Sequence, residues 1–415
     1  MRLRMLTSDG LEYDGGAGEG PADGYKCIRF WRQDMNRACV YISDAEGLAR
    51  FCERASDSKV LAVDTEFLRE RTYFPRLCLI QVATADESCA VDPILIEDLT
   101  PLRRLLEDRS VTKVFHACTQ DLEVILDGMG CVPAPVFDTQ LAAAFLGHRQ
   151  QIGYGALVEA CCGVRLPKAE SLTDWSRRPL DAEQLRYAED DVIYLPRIYE
   201  QMVSELARRD RLAWLEPEMR SLTDPSRVER DPRDAYLHLK RSNSLTRRQL
   251  SVAREACAWR EREAARRNIP RKWVVSDEVL VELCKRAPRG VDRLRRIRGT
   301  EQLPTRDAEE LVAAVGRGLA CDPDEMPLRP HRERPSSETE SVLDLMYSLL
   351  RLVSERSGVA AQLIATREDL QDYVSDPASS KLSRSWRAEL LGSQLSRLLS
   401  GEMGLTVKDG HIELL

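Results

Sequence analysis

Val60-Leu61-Ala62-Val63-Asp64-Thr65-Glu66-Phe67 is the stretch that decides how this 415-residue chain folds. Four apolar residues in a row predict a buried strand, and the two carboxylates that follow are spaced by two, so Asp64 and Glu66 project to one face. Acids at the end of a buried strand are costly unless a cation lies between them, and a divalent metal is the simplest one. Capping or a surface role is the alternative. Outward from this strand, β-rich runs at 38–42, 77–83, 89–91 and 111–115 alternate with helical patterns near 101–107, 119–128, 139–146, 155–162 and 182–206. Short turns separate the early runs and helices the later ones, which predicts an α/β domain with a mixed sheet flanked by helices. Ser43-Asp44-Ala45-Glu46 reads as a capping box opening the helix that carries Leu48, Phe51 and Cys52.

Further acids sit at element edges. Asp121 falls in the first turn of the helix after the strand ending at His116, where it could equally serve the helix amides. In Tyr187-Ala188-Glu189-Asp190-Asp191 the tyrosine and Asp191 are at i, i+4 and share a face, while Glu189 and Asp190 turn away and read as solvated. Four carboxylates suit Mg²⁺ or Mn²⁺, and two such ions can hold the attacking and leaving oxygens of an in-line phosphoryl displacement. Tyr187 would orient the water or help to deprotonate it. A serine hydrolase finds no G-x-S-x-G elbow. The glycine run at 15–20 has no strand before it and no Lys-Ser or Lys-Thr after it, which argues against a phosphate loop.

Charge is unevenly spread. Between Arg227 and Arg298 stand 21 Lys+Arg against 10 Asp+Glu, so the net charge of -7 divides into a segment of +11 and a remainder of -18. Such a block is a solvated helix face or a nucleic-acid footprint. The 12 cysteines are scattered with no C-x-x-C pair, as expected of reduced thiols. No apolar run approaches the roughly 18 residues of a membrane span, and a signal-peptide core is missing, so a cytoplasmic, membrane-free protein is expected.

Five segments are expected. Residues 1–36 read as a disordered leader, with Met35 a candidate start; 37–215 form the α/β domain; 216–320 are all-helical; 321–337 form a linker; 338–415 repeat the helical module in diverged form. The repeat rests on a shift of 90, which lays Val275, Ser276 and Leu280 on Ala365, Thr366 and Leu370. Thr246-Arg247-Arg248-Gln249 caps a long helix that Asn268-Ile269-Pro270 breaks, and an Asp409-Gly410 turn closes the chain with a hairpin.

Val63-Asp64-Thr65-Glu66-Phe67, His116 to Leu122, Phe137-Asp138-Thr139-Gln140, Thr173-Asp174-Trp175 with Arg178-Pro179-Leu180, and Tyr187 to Val192 together resemble ribonuclease D, a DEDDy-type 3′-5′ exonuclease family. Trp259-Arg260, Asn268-Ile269-Pro270-Arg271 and Trp273 to Glu278 resemble an HRDC domain, and 338–400 a second, divergent HRDC-like copy. The resemblance implies a ribonuclease H-like fold and a metal-dependent 3′-5′ exoribonuclease, with two Mg²⁺ or Mn²⁺ ions per site, that releases 5′-mononucleotides from RNA, tRNA precursors foremost. It makes Asp64, Glu66, Asp121 and Asp191 the metal ligands and Tyr187 the residue that positions water.

Thr65 and Phe67 would grip the terminal nucleotide; His116, Trp175 and Arg178 would line the cleft, with structural roles as rivals for His116 and Trp175. Asp138 is expected to be a helix cap. Arg247, Arg248, Arg271 and Lys272, with Lys240, Arg241, Arg266 and Arg267, would track the RNA backbone, and Trp259 and Trp273 would pack in the helical core. A DNA exonuclease of the same superfamily and a non-catalytic nucleic-acid-binding protein are the alternatives. A monomer is expected.

Overall fold

The computed structural model describes residues 39–167, 173–224, 231–328 and 335–415; the leader and Met35 lie outside them. A six-stranded mixed sheet forms the first domain, ordered β1-β4-β3-β2-β5-β6, with β1 Val40–Ile42, β2 Val60–Leu68, β3 Arg76–Ala83, β4 Ser88–Val91, β5 Thr112–Phe115 and β6 Val136–Asp138. β2-β3 and β3-β4 are antiparallel; β1-β4, β2-β5 and β5-β6 are parallel. The strand β6 is too short for periodicity to announce.

Alternation along β2 sorts its side chains between two layers. Leu61 and Val63 enter a core with α1 (Ala45–Ala55), α2 (Thr100–Glu107) and α3 (Thr119–Met129). Ala62 faces the other core, with α4 (Thr139–Phe145), α5 (Tyr154–Cys162), α7 (Leu195–Arg208) and α8 (Leu212–Leu222). The helix expected at 182–206 is two: α6 (Ala182–Asp190), opened by an Asp181/Gln184 capping box, and α7, separated by a turn at 191–194. Pro196 at the start of α7 lacks the amide needed to continue α6. Asp44, rather than Ser43, caps α1 by accepting from the Gly47 amide. The boundary expected at 215/216 falls inside α8, whose Leu215 and Met219 are buried in the same core as α7.

The basic segment folds as α9 (Arg247–Arg267), α10 (Arg271–Val274), α11 (Asp277–Arg286), α12 (Val291–Leu294) and α13 (Thr305–Leu319) around a separate core. The expected repeat is present in the backbone: α14 (Ser337–Ser357), α15 (Ala361–Ile364) and α16 (Arg367–Ser375) follow α9, α10 and α11 at a shift of 90. Asn268 (φ 49°) and Gly358 (φ 63°) are both left-handed caps, and Val275 and Ala365 share φ -155°. Then come α17 (Ser385–Arg387), α18 (Ser393–Leu399) and the hairpin β7 (Leu405–Lys408) and β8 (His411–Leu414).

The two modules attach differently. Buried Leu343, Met346, Leu350 and Trp386 join the core under α4 and α7 with Phe145 and Leu206, so the second module shares a hydrophobic core with the sheet domain. Trp386 stacks on Trp214 (5.8 Å) and meets Phe145 edge-on (5.0 Å), and Arg211 donates to the carbonyls of Phe145 and Ser357. The first module touches the sheet domain through Tyr73, whose hydroxyl donates to Glu261 (3.0 Å), and through Asn268, which accepts from the Tyr73 and Phe74 amides (both 3.1 Å). All described cysteines are free, and no described helix is long and apolar enough to cross a membrane.

Candidate active site

Alternation carries Asp64 and Glu66 onto the α7 side of β2, where the turn after α6 brings Asp191; one carboxylate oxygen from each of the three lies within 4.8 Å of the others. Asp121 comes from the other layer, in the first turn of α3, and is buried at 7% exposure. It stands beside the trio rather than within it, close enough that its charge helps to raise Asp64, Glu66 and Asp191. Thr65 is the connection: pointing opposite to Asp64, its hydroxyl donates to Asp121 Oδ1 at 2.5 Å.

Among the described residues, the charges that act most on this cluster are those of the acids themselves. Burial and the other three acids push Asp64 well above the carboxylate range, and burial with Asp191 and Asp121 lifts Glu66 to about 8. Burial raises Asp191 to about 7, against a hydrogen bond from Tyr187, and Asp121 to about 6, against one from Thr65. Converging hard oxygens with unbalanced negative charge fit a divalent cation of the Mg²⁺ type. Tyr187 is hydrogen-bonded to Asp191, and burial with the nearby acids pushes its phenol upward, so it is a proton donor at neutral pH.

Residues 39–207 match a 3′-5′ exonuclease family and residues 249–315 the HRDC domain. A ribonuclease D of Jannaschia sp. (strain CCS1) is 42% identical over 387 residues, spanning 90% of this chain and 98% of its own length. The chain belongs to the ribonuclease D family. Another member, from Acidiphilium cryptum, is 39% identical over 90% of this chain and 96% of its own. The crystal structure of Escherichia coli RNase D, described as an exoribonuclease involved in structured RNA processing, aligns at a TM-score of 0.75 with 31% identity, covering 88% of this chain and 99% of that one. As a ribonuclease D, the chain is a hydrolytic exoribonuclease whose exonuclease domain is the mixed-sheet domain described above.

Several residues expected at the substrate are engaged within the fold. Both ring nitrogens of His116 have partners, Nδ1 with Thr139 Oγ1 (2.9 Å) and Nε2 with the Ile152 carbonyl (3.0 Å), and burial lowers its pKa, so it ties the end of β5 to α4. Arg178 is likewise committed. Its guanidinium pairs with Asp92, whose side chain is fully buried, and donates to the carbonyls of Trp175 (2.8 Å) and Cys78 (2.7 Å). Although burial pushes Asp92 up, hydrogen bonds from Arg178 and Tyr41 hold it below its ordinary value. Trp175, 7% exposed, packs beside Tyr187 with ring centroids 6.0 Å apart and backs the phenol instead of facing the cleft. Phe67 packs against the α1–α3 core.

Asp138 is a cap, as expected, and more. Its carboxylate accepts from Gln140 and Leu141 and also from Ala117 and Cys118, so it fixes the loop that launches α3 and Asp121. Glu189 is not merely solvated: it accepts from Ser88 Oγ (3.0 Å) and anchors α6 to β4. Tyr154, which the sequence reading missed, donates to the Asp190 carbonyl (2.9 Å), and burial first, then the charges of nearby Asp191 and Asp64, push its phenol upward. A lone tyrosine opening an apolar helix carries no signal for that role.

Much of the +11 segment is also committed. Arg260 pairs with Asp277, Arg266 and Arg267 with Glu263, and Arg271 with Glu261, while Arg247 donates to the Pro323 and Met326 carbonyls. Lys240, Arg241, Arg248 and Lys272 are exposed with no ion pair among the described residues. Trp259 is core, donating to Glu310; Trp273, expected there too, is 56% exposed.

Proposed function

We propose that this ribonuclease D removes nucleotides from RNA 3′ ends by divalent-metal-assisted attack of water, releasing 5′-mononucleotides, and that tRNA precursors with 3′ trailing nucleotides are its substrates. What carries the mechanistic reading is the convergence of Asp64, Glu66 and Asp191 within 4.8 Å, with Asp121 alongside and the Tyr187 hydroxyl on Asp191. These four acids would hold two Mg²⁺ or Mn²⁺ ions. Bound there, such ions supply Lewis-acid stabilisation of charge on the phosphoryl group and acidify the attacking water.

The chain's own groups do the rest. Thr65 holds Asp121 in place beside the trio by donating to its Oδ1. The Tyr187 phenol, protonated and backed by Trp175, orients water by hydrogen bonding rather than by taking its proton. RNA is favoured over DNA by the relatives' activity.

The test uses 3′-labelled RNA and a matched DNA with Mg²⁺ or Mn²⁺. Expected are metal-dependent release of 5′-mononucleotides from RNA, loss of at least about a hundredfold in Asp64→Ala, and faster trimming of a tRNA precursor than of an unrelated hairpin with the same tail. Undiminished release by Asp64→Ala would overturn the assignment, and equal rates on both RNAs the tRNA role.

A further inference from the structure

One buried polar side chain in the sheet is left without a task by the site above. Gln81 interrupts the apolar run of β3, is 1% exposed, and neither its amide nitrogen nor its amide oxygen meets a hydrogen-bonding partner among the described residues. A buried amide left unpaired is destabilising, whereas methionine or leucine would fill the same space without that penalty. Folding alone gives no reason for a glutamine here.

Its place in the sheet says what it can reach. β2 and β3 are antiparallel with Asp64 directly opposite Gln81, and on β4 the opposite residue is Ala90. Residues paired in this way share a face, with Cβ atoms about 4.5–5.5 Å apart, so the Gln81 amide rises on the Asp64 side of the sheet. That side is covered here: Ala90, and Leu79 two residues earlier on β3, are buried in one cluster with Trp175 and with Ala188 of α6. Two of the other acids already have a side-chain donor, Asp121 in Thr65 and Asp191 in Tyr187. Asp64 takes the Thr65 amide, and the unpaired Gln81 side chain stands across from it. A carboxylate that gives one oxygen to a metal is fixed in rotation by a donor on its remaining lone pairs. A neutral amide does this without the charge by which a lysine or arginine would repel the cation.

We propose that Gln81 is a positioning residue for metal binding, its Nε2 donating to the Asp64 carboxylate when Asp64 holds a divalent cation. This rests on the reading that Asp64 is a metal ligand, and it assigns the orientation of that ligand to a residue on the neighbouring strand. Gln81 acts through Asp64, not on RNA or on the attacking water.

Mn²⁺ alone, titrated calorimetrically into the full chain without RNA, tests this apart from turnover. Gln81→Met nearly keeps the volume and removes both polar atoms. It is expected to raise the Kd for Mn²⁺ by about tenfold or more, and to melt in EDTA no lower than wild type, because no hydrogen bond of the metal-free fold is lost. A Kd less than about threefold above wild type overturns the proposal. So does melting in EDTA more than about 3 °C below wild type, which would give the amide a partner, such as a trapped water, in the metal-free fold. Asp64→Ala separates the two readings. If it binds Mn²⁺ as tightly as wild type, Asp64 is not a ligand and both fall; if it loses Mn²⁺ while Gln81→Met binds as wild type does, only the role of Gln81 fails.

Discussion

Replacing Glu66 by glutamine should cost this protein its activity and, without metal, make it more stable. Glu66, Asp64 and Asp191 bring oxygens within 4.8 Å of one another. At an effective dielectric constant of about 20, two unit charges at that separation repel by about 3 kcal/mol. The pKa of Glu66 rises from 4.5 in the reference state to about 8 in the fold. Its neutral form therefore stabilises the fold fully below about pH 4.5, and that contribution is lost as pH rises through about 8. At pH 9 in EDTA, Glu66→Gln removes one ionised member and should gain about 2–3 kcal/mol, or roughly 4–10 °C in melting temperature for a unit of this size. At pH 5 glutamine replaces a protonated acid of nearly the same shape, and the two proteins should melt together. Mg²⁺ at pH 8 should reverse the order, since wild type binds it with one more carboxylate. Scanning calorimetry at the two pH values, with EDTA or Mg²⁺, measures all of this. A variant that melts below wild type in EDTA at pH 9, or one that gains equally at pH 5, would refute the electrostatic reasoning.

Two further outcomes follow from groups outside the acid cluster. Arg178→Ala strands the buried Asp92 carboxylate and frees the segment that presses Trp175 on Tyr187; denaturant titration should show a loss of about 3–5 kcal/mol, with kcat falling more than KM changes, and no loss of stability would refute the brace. Trp386→Ala, though in the last helical module, should destabilise the exonuclease domain by about 3–5 kcal/mol, because its ring packs on Trp214 and Phe145. Hydrogen exchange in the sheet that does not change would show the two cores to be independent.

Residue pattern reached far into the active site because each acid is placed by a local rule. Spacing by two sets Asp64 with Glu66, the first turn of a helix presents Asp121, and i, i+4 joins Tyr187 to Asp191. Only the stacking of layers decides that Asp121 arrives from the opposite side of the sheet and is tied in by Thr65. Arginines are read less well from pattern. Arg178 was expected to line the cleft and Arg247 and Arg271 to track RNA, but a guanidinium can also satisfy carboxylates and carbonyls of a distant element, as all three do here. Which of these it meets is a matter of packing.

By itself, then, the sequence determined the mixed α/β domain, the helical repeat at a shift of 90 and the pairing of Asp64 with Glu66 and of Tyr187 with Asp191 on shared faces, since all of these are written in short-range periodicity and motif. Tertiary structure alone decided that the second helical module is fused to the exonuclease core while the first is held through Tyr73 and Asn268. It also decided which groups within the fold His116, Trp175 and Arg178 meet, and that Trp273 faces solvent while its equivalent Leu363 is buried. The physical reason is that burial and pairing depend on residues far apart in the chain: the same turn is an interior contact or an open surface according to what packs against it.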